Sequence, residues 1–498
     1  MRAEPTALRR LPPVSEPRDP TSEPIRLVDV QRAVAAELER IGPVIGELGE
    51  LFAAAGHELA LVGGPVRDAM LGRHSNDLDL TTSARPSDTE RILKKWGDAW
   101  WDLGRDFGTI GCRKGDWVVE VTTYRSEAYD PGSRKPEVQY GDTLAGDLGR
   151  RDFSVNAMAV RLPGQQIEDP YGGVVDLANR VLRTPGRPED SFSDDPLRMM
   201  RAARFAAQLG FTVDDAVVAA MTEMAERIEI VSAERVRDEL VKLICAPYPR
   251  LGLTLLVDTG LADHVLPELP RLKLERDEHH RHKDVYEHTL TVLEQAIDLE
   301  DRLGGGPDFV SRFAALMHDV GKPKTRRFLD DGTVTFHHHD VVGAKITRKR
   351  MQALRFSGDE TDAVCHLVEL HLRFHGYGSG EWTDSAVRRY VRDAGDQLTR
   401  LHVLTRADCT TRNQRKADRL RRTYDDLEAR IARLSEEEEL AAIRPDLDGN
   451  QIMEILGIPP GREVGEAYKF LLELRLDNGP MSEDDAKAAL RDWWAARG

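Results

Sequence analysis

Leu61-Val62-Gly63-Gly64-Pro65-Val66-Arg67-Asp68, followed by Asn76-Asp77-Leu78-Asp79-Leu80, is the stretch from which the fold is read. The apolar run Leu59 to Val62 predicts a short strand that the Gly63-Gly64-Pro65 turn ends. Pro65 to Leu71 then predicts a helix with proline in its first turn. Asp77 and Asp79 fall in a second strand, where residues two apart share a face. Gly108 to Arg113 and Trp117 to Thr123 have the β-branched and apolar content of further strands, and Gln31 to Ala55 has helical periodicity. The chain is therefore mixed up to about Leu182. From Asp194 onward the pattern is helical almost without interruption, with Pro185-Gly186-Arg187-Pro188 as the hinge at the change. The expected class is α+β, a small mixed-sheet head followed by all-α domains.

A chain of 498 residues is too long for one ordinary domain. Composition shifts and Pro/Gly breaks divide it into a disordered extension over 1–25, a head over 26–182, a helical neck over 183–270, a body over 271–425 and a helical tail over 426–498. No apolar run approaches the roughly 20 residues of a membrane span. The stretch Met1 to Pro24, rich in Pro, Arg and Glu, lacks the apolar centre of a secretory leader. Cys112, Cys245, Cys365 and Cys409 form no CxxC pair, which argues against a disulfide framework or a cysteine zinc site and for a reducing cytoplasm. A net charge of −16 does not exclude nucleic acid, because arginines cluster between Arg150 and Arg204 and a local basic strip can grip phosphates.

The opening stretch also carries chemistry. Consecutive glycines after a strand let backbone N–H groups approach a phosphate, and the helix that follows points its positive end at the same anion. Arg67 can add a charge-assisted contact. Two carboxylates on one strand face, Asp77 and Asp79, can hold Mg²⁺, which takes oxygen ligands and keeps substrate phosphates as the others. Such a pair permits two-metal catalysis. Taken alone, an Asp-x-Asp is usually a solvated strand end and a Gly-Gly only a turn. Their order, with Arg67-Asp68 between them, is far more specific.

On these residues the chain resembles the class II CCA-adding tRNA nucleotidyltransferases and bacterial poly(A) polymerases, whose first motif Gly63-Gly64-x-x-Arg67-Asp68 with Asp77-x-Asp79 matches. Arg150-Arg151-Asp152-Phe153-Ser154-Val155-Asn156-Ala157 resembles the second motif, which implies that Arg151 and Asp152 contact the triphosphate and ribose. Asp169-Pro170-x-Gly172-Gly173, Asp194 to Phe205, and Ser232-x-Glu234-Arg235 with Glu239-Leu240 resemble the third to fifth. In the fourth, Asp195 and Arg198 stand three apart, hence on one helical face, with Arg201 and Arg204 continuing it toward a phosphate or primer. A carboxylate beside a guanidinium offers acceptors and donors to a base edge, and the resemblance implies that the pair selects CTP and ATP without a template. Without the other motifs the same spacing would be an ordinary surface ion pair. Asp194 replaces the usual Glu and is given no base contact. The third catalytic carboxylate is expected to be Glu120. The resemblance implies a five-stranded sheet in the head, with neck, body and tail behind it. A loop within Thr81 to Asp106 would decide between complete and partial addition.

A second constellation lies downstream. His288 precedes the apolar run that ends in His318-Asp319-Val320-Gly321-Lys322, and Asp408 follows. Imidazole and carboxylate in this order suit one or two divalent cations. The segment Leu272 to Arg422 resembles the HD phosphohydrolase domain, and His339 and His371 match the extra ligands of its two-metal variants. His337 and His338 are read as neighbours. The expected activity is addition of CCA to tRNA from CTP and ATP with Mg²⁺, beside an HD centre holding an unidentified divalent metal. Two other readings are a poly(A) polymerase or partial-adding enzyme, and an HD phosphohydrolase with a nucleotide-sensing N-terminal half. No membrane partner is expected.

Overall fold

The computed structural model describes residues 23–102, 104–128, 137–141, 143–274, 284–330, 334–376, 382–410, 413–438 and 444–497. The extension expected over 1–25 thus lies outside the described residues but for its last three. The chain forms two compact units, one over Arg18–Pro270 and one over Arg271–Gly498.

The first unit is built on a seven-stranded sheet. Helix α1 (Leu27–Ala54) leads into β1 (Leu59–Val62), α2 (Gly64–Met70) and β2 (Asp77–Thr82). Helix α3 (Pro86–Trp96), β3 (Ala99–Trp101), β4 (Thr109–Lys114) and β5 (Trp117–Thr123) follow. A separate hairpin of β6 (Arg125–Ala128) and β7 (Glu137–Tyr140) precedes α4 (Leu144–Gly149). The sheet is completed by β8 (Ala159–Leu162) and β9 (Gln166–Glu168) in the order β3-β4-β5-β2-β1-β8-β9. Within this sheet only β2 and β5 pair in parallel; its other ladders are antiparallel. β1 reads Leu-Ala-Leu-Val because it is central and buried at all four positions. β2 alternates exposed Asp77 and Asp79 with buried Leu78 and Leu80.

One expectation needs correction. The sheet has seven strands rather than five, because the short edge strands β3 and β9 join it. The interval Thr81 to Asp106, where a loop was expected, also holds the end of β2, helix α3 and strand β3, which leaves only short connections between them. Pro86 opens α3, and Thr89, Leu93 and Trp96 fall on one buried face at helical spacing.

The rest of this unit contains α5 (Gly173–Ala178), α6 (Pro188–Asp194), α7 (Leu197–Leu209), α8 (Asp215–Met224) and α9 (Ala233–Ile244). α7 buries Met199, Met200, Ala203 and Ala207 and stops at Gly210, whose positive φ of 68° supplies the left-handed cap. Ser232 caps α9 by accepting from the Arg235 amide at 3.4 Å.

The second unit is helical apart from two two-residue strands. Helices Val285–Asp298, Phe309–Met317, His339–Ala353, Gly358–Leu370 and Leu398–Ala407 bring five sequence-distant segments together. Helix Gln414–Glu438 follows them. The final helices, Gly449–Leu456, Arg462–Asn478 and Glu483–Ala495, share a separate core of Leu447, Ile452, Ala467, Leu471, Ala486 and Leu490. Among the described residues no helix is long and apolar enough to cross a membrane.

Candidate active site and candidate metal centre

In the first unit, β2 and β5 run in parallel with Asp79 opposite Glu120, and Asp77, Asp79 and Glu120 are all exposed on the strands. The loop entering β2 is strapped to α1. Arg40 donates to the Asn76 side chain at 2.9 Å and to the Ser75 carbonyl at 2.6 Å, and buried Glu37 holds Arg40 in turn. Desolvation raises the Asp79 carboxyl above its ordinary range, Arg151 opposes this, and the like charges of Glu120 and Asp77 add to it. Asp77 and Asp79 thus share one face of β2, with Glu120 beside Asp79 across the ladder, and of the three only Asp79 lines the adjoining cleft.

Beside Asp79 opens a cleft of about 640 Å³ that the turn Gly63-Gly64 lines. Gly63 has φ 71°, and a Cβ there would stand 2.8 Å from the Arg151 guanidinium. This is a position where only glycine fits without strain. Eight arginines and one lysine line the cleft against three aspartates. Arg67 lines it too, yet its guanidinium is committed to Asp68 at 2.9 and 3.0 Å and to Asn156 at 2.7 Å. Asp152 is buried and accepts from Arg201 at 2.8 Å, from the Asn156 amide at 2.9 Å and from the Phe153 N–H at 2.9 Å. Burial alone would raise its carboxyl; Arg201 and these hydrogen bonds outweigh that and hold it low. Phe205 forms a floor under three guanidinia, with Arg204 at 3.9, Arg67 at 5.2 and Arg201 at 5.5 Å from its centroid.

Asp195 and Arg198 do not share a helical face as expected. Pro196 disfavours helical backbone at the residue before it, so Asp195 is extended (φ −143°, ψ 101°) and α7 begins at Leu197. Both still line the cleft. Asp195 caps α7 by accepting from the Leu197 N–H at 3.1 Å and pairs with Arg235 at 2.8 Å. Arg198 donates to the Ser191 hydroxyl at 2.9 Å and the Arg150 carbonyl at 2.6 Å. Arg204 is locked to buried Glu239 and to Gln208. Arg150, Asn156 and Arg235, motif members given no site role by the sequence, also line the cleft, as do Arg125, Gln208 and Lys242. Arg235 and Lys242 were findable, since they stand seven apart, two turns along α9 on one face; Arg125 carries no local signal.

In the second unit, His288, His318 and Asp408 form one group of converging ligand atoms, and Asp319, His339 and His371 form another. All six expected residues come together. Asp319 joins the groups: its Oδ2 is 3.3 Å from His318 Nε2 and 3.6 Å from His288 Nε2, while its Oδ1 is 3.3 Å from His339 Nε2. Asp408 Oδ1 is 3.0 Å from His288 Nε2. The other ring nitrogens are occupied: Nδ1 of His318, His339 and His371 face the carbonyls of Ala315, Phe336 and Val368 at 2.8, 2.8 and 2.6 Å. In the neutral ring, donation from Nδ1 leaves the lone pair at Nε2, the tautomer that ligates metals. The buried Nε2 atoms of His318 and His371 have no hydrogen-bond partner. Lone pairs and carboxylates converging without a cation would be costly, so the donor set fits divalent metal. Burial would push the His318 imidazolium down, but Asp319 and Asp408 hold it up at about 9. Burial, and then His318, push His371 down to about 4. His337 and His338 are exposed, outside the cluster.

Family profiles match three parts of the chain: the Poly A polymerase head domain over residues 59–183, a probable RNA and SrmB-binding site of polymerase A over 210–272, and the HD domain over 285–413. The CCA-adding enzyme of Levilactobacillus brevis is 40% identical over 244 residues, 47% of this chain and 59% of that protein. Among solved structures, the Bacillus stearothermophilus CCA-adding enzyme in complex with CTP superposes with a TM-score of 0.65 at 23% identity, covering 93% of this chain and 98% of that one. The Thermotoga maritima CCA-adding enzyme complexed with tRNA gives 0.60 at 19% identity, covering 94% and 98%. At these identities the likeness is one of fold. The A-adding tRNA nucleotidyltransferase of Deinococcus radiodurans is 33% identical over 440 residues, 87% of this chain and 95% of that protein. With a third of its residues shared across nearly the whole of that relative, the chain belongs to the tRNA nucleotidyltransferase family.

Proposed function

We propose that this nucleotidyltransferase completes the 3′ end of tRNA by adding C, C and A from CTP and ATP in the cytoplasm. The observation that carries the reading is the carboxylate face of Asp77, Asp79 and Glu120 beside a glycine-turned cleft lined by arginines. Asp77 and Asp79 would hold Mg²⁺, with Glu120 helping to take the primer proton. When bound, such ions lower the pKa of the attacking 3′-hydroxyl and neutralise departing pyrophosphate. Gly63 and Gly64 admit the triphosphate, and Arg151 lies over the turn to meet it. Arg67, fixed by Asp68 and Asn156, stiffens α2 beneath that turn. Asp152, neutralised by Arg201, would meet the ribose, while Asp195 and Arg198, each fixed by other groups and each lining the cleft, would meet the base. Arg204 supports Arg201 through Phe205. In this reading the head spans 26–182, the neck 183–270, the HD body 271–425 and the tail 426–498.

The test supplies purified protein with tRNA lacking its 3′ end, with CTP and ATP singly and together, and sizes the products. Three added residues with both nucleotides support the proposal. Addition of A alone to tRNA ending in CC would replace it with A addition, and long A tracts with a poly(A) polymerase. Asp77→Asn with Asp79→Asn must abolish incorporation, whereas His318→Ala with Asp319→Asn must spare it. The reverse pattern would make the head a nucleotide sensor for the HD centre.

A second activity is favoured by the buried, unpartnered Nε2 atoms of His318 and His371. His288, His318, Asp319, His339, His371 and Asp408 would hold one or two divalent ions for hydrolysis of a phosphoester. Release of inorganic phosphate from a 2′-phosphate ester, or opening of a 2′,3′-cyclic phosphate by water to a phosphomonoester, lost in the His318→Ala, Asp319→Asn protein, is the expected result.

A further inference from the structure

Asp147 lies outside every motif discussed so far, on α4, and none of its side chain reaches solvent. Its helix is anchored on the other side: Leu144 and Leu148, one turn apart, pack with Ala60, Val62, Tyr124 and Ala159 in one core cluster. Thr143 caps the helix by accepting from the Gly146 N–H at 3.2 Å. The carboxylate therefore sits on a platform fixed to β1 and β8, the strands that lead into and away from the cleft.

Both of its oxygens are used. Oδ1 accepts from Arg150 at 2.8 and 3.1 Å and from the backbone N–H of Arg125 at 3.2 Å. Oδ2 accepts from Arg151 at 3.3 Å and from the Thr81 hydroxyl at 3.2 Å. Each partner leads to a different part of the site. Thr81 is two residues beyond Asp79 on β2. Arg125 opens the β6–β7 hairpin and lines the cleft. The Arg151 guanidinium lies 2.8 Å from where a Cβ on Gly63 would be, over the phosphate turn. Arg150 passes its carbonyl to Arg198. One buried carboxylate thus ties the acidic strand, the glycine turn and the base-facing arginine into one frame. An arginine on so long a side chain would otherwise sample many rotamers, and Asp147 removes that freedom before substrate arrives.

We infer that Asp147 is a positioning residue for nucleotide binding, acting through Arg151: it holds that guanidinium over the Gly63 turn in the geometry an incoming triphosphate needs. The inference rests on the reading that Arg151 meets the triphosphate. Its energetic signature is a defect in nucleotide affinity rather than in the chemical step, because Asp147 itself touches neither substrate nor the reacting atoms.

The experiment is a double-mutant cycle on the full chain, reading KM for CTP and kcat separately with tRNA lacking its 3′ end. Asp147→Asn, Arg151→Ala and the double variant are compared with the parent. Asp147→Asn is expected to raise KM about tenfold, the effect of one charge-assisted hydrogen bond, with kcat changed less than about threefold. The double variant should be no worse than Arg151→Ala, since the two residues act as a unit. A purely structural role predicts instead that the two effects multiply, or that kcat falls with KM unchanged; either overturns the inference. If Arg151→Ala leaves KM unchanged, the triphosphate reading fails. If Arg151→Ala raises KM and Asp147→Asn does not, only the role of Asp147 fails. Should Asp147→Asn not fold, Thr81→Val, which keeps volume and removes one hydrogen bond to the same carboxylate, replaces it in the cycle with an expected rise of about threefold.

Discussion

Asp79 is caught between opposing influences. Desolvation and the charges of Glu120 and Asp77 favour its protonated form, and Arg151 favours the anion; the first group wins. A raised pKa means that the neutral acid persists to higher pH than in an ordinary aspartate, about 3.9. Cation binding needs the anion, so activity at limiting Mg²⁺ should rise with pH through this elevated value. Added Mg²⁺ should move the acidic limb to lower pH, because the ion competes with the proton. Glu120→Gln removes a like charge and should shift the limb the same way while reducing the rate. Asp79→Asn should lower kcat by about 100- to 1,000-fold. A pH–rate profile of kcat/KM at two Mg²⁺ concentrations reads all of this, and a limb indifferent to Mg²⁺ would sink the assignment. Gly63 offers a backbone counterpart. At φ 71° an alanine is strained by roughly 1–2 kcal/mol, and its Cβ meets Arg151 at 2.8 Å. Gly63→Ala should therefore lower the melting temperature slightly and raise KM for both nucleotides, measured by thermal unfolding and steady-state kinetics.

Helices α7 and α9 separate what local sequence can reveal from what it cannot. The period of two put Asp77 and Asp79 on one face, and Pro65 with the glycines before it marked the turn; these are nearest-neighbour rules, and the structure follows them. The same kind of rule misjudged Asp195 and Arg198, because Pro196 ends helical backbone just where an uninterrupted i, i+3 relation was assumed. The partners that fix the arginines lie far away in sequence: Arg201 with Asp152 across 49 residues, Arg204 with Glu239 across 35. No local period encodes such pairs; they follow from how α7 packs on α9 and beside the sheet. That the six HD residues converge was legible for a different reason: the resemblance to the HD domain picks out particular side chains whatever separates them in sequence. Burial decides how much each α7–α9 contact matters. Arg204 and Glu239 are both buried, so Glu239→Ala strands a guanidinium and should cost about 3–5 kcal/mol in urea unfolding. Arg235 keeps half its side chain in water; Arg235→Ala should cost under about 1 kcal/mol while freeing Asp195 to alter the CTP-to-ATP preference. Equal destabilisation by the two would refute this ordering.

Charge is distributed unevenly across the two units. A chain with net charge −16 lines one cleft with eight arginines and a lysine against three aspartates, so its attraction for phosphate groups is local and short-ranged. Binding of tRNA should weaken about 10- to 1,000-fold between 50 and 200 mM salt, as expected when several phosphates are neutralised, and a flat salt response would place the RNA elsewhere. The second unit carries the candidate metal centre instead. Its six candidate ligands come from five helices or their ends, spread over more than a hundred residues of chain, so one or two bound ions would cross-link the unit that contains them. Metal that binds the folded state alone stabilises it by about 2.7 kcal/mol at a hundredfold excess over Kd. Stripping the protein with a chelator should then lower the melting of the unit over Arg271–Gly498 and leave that of Arg18–Pro270 in place. Calorimetry resolving two transitions reads the difference. Adding Mn²⁺ or Co²⁺ back should restore the second transition, and His318→Ala with Asp319→Asn should abolish the restoration. Because Nδ1 of His318, His339 and His371 is already turned to a carbonyl, the rings need no rearrangement to accept the ion. A metal-dependent shift that survives that double variant would mean the stabilising ion binds at other residues.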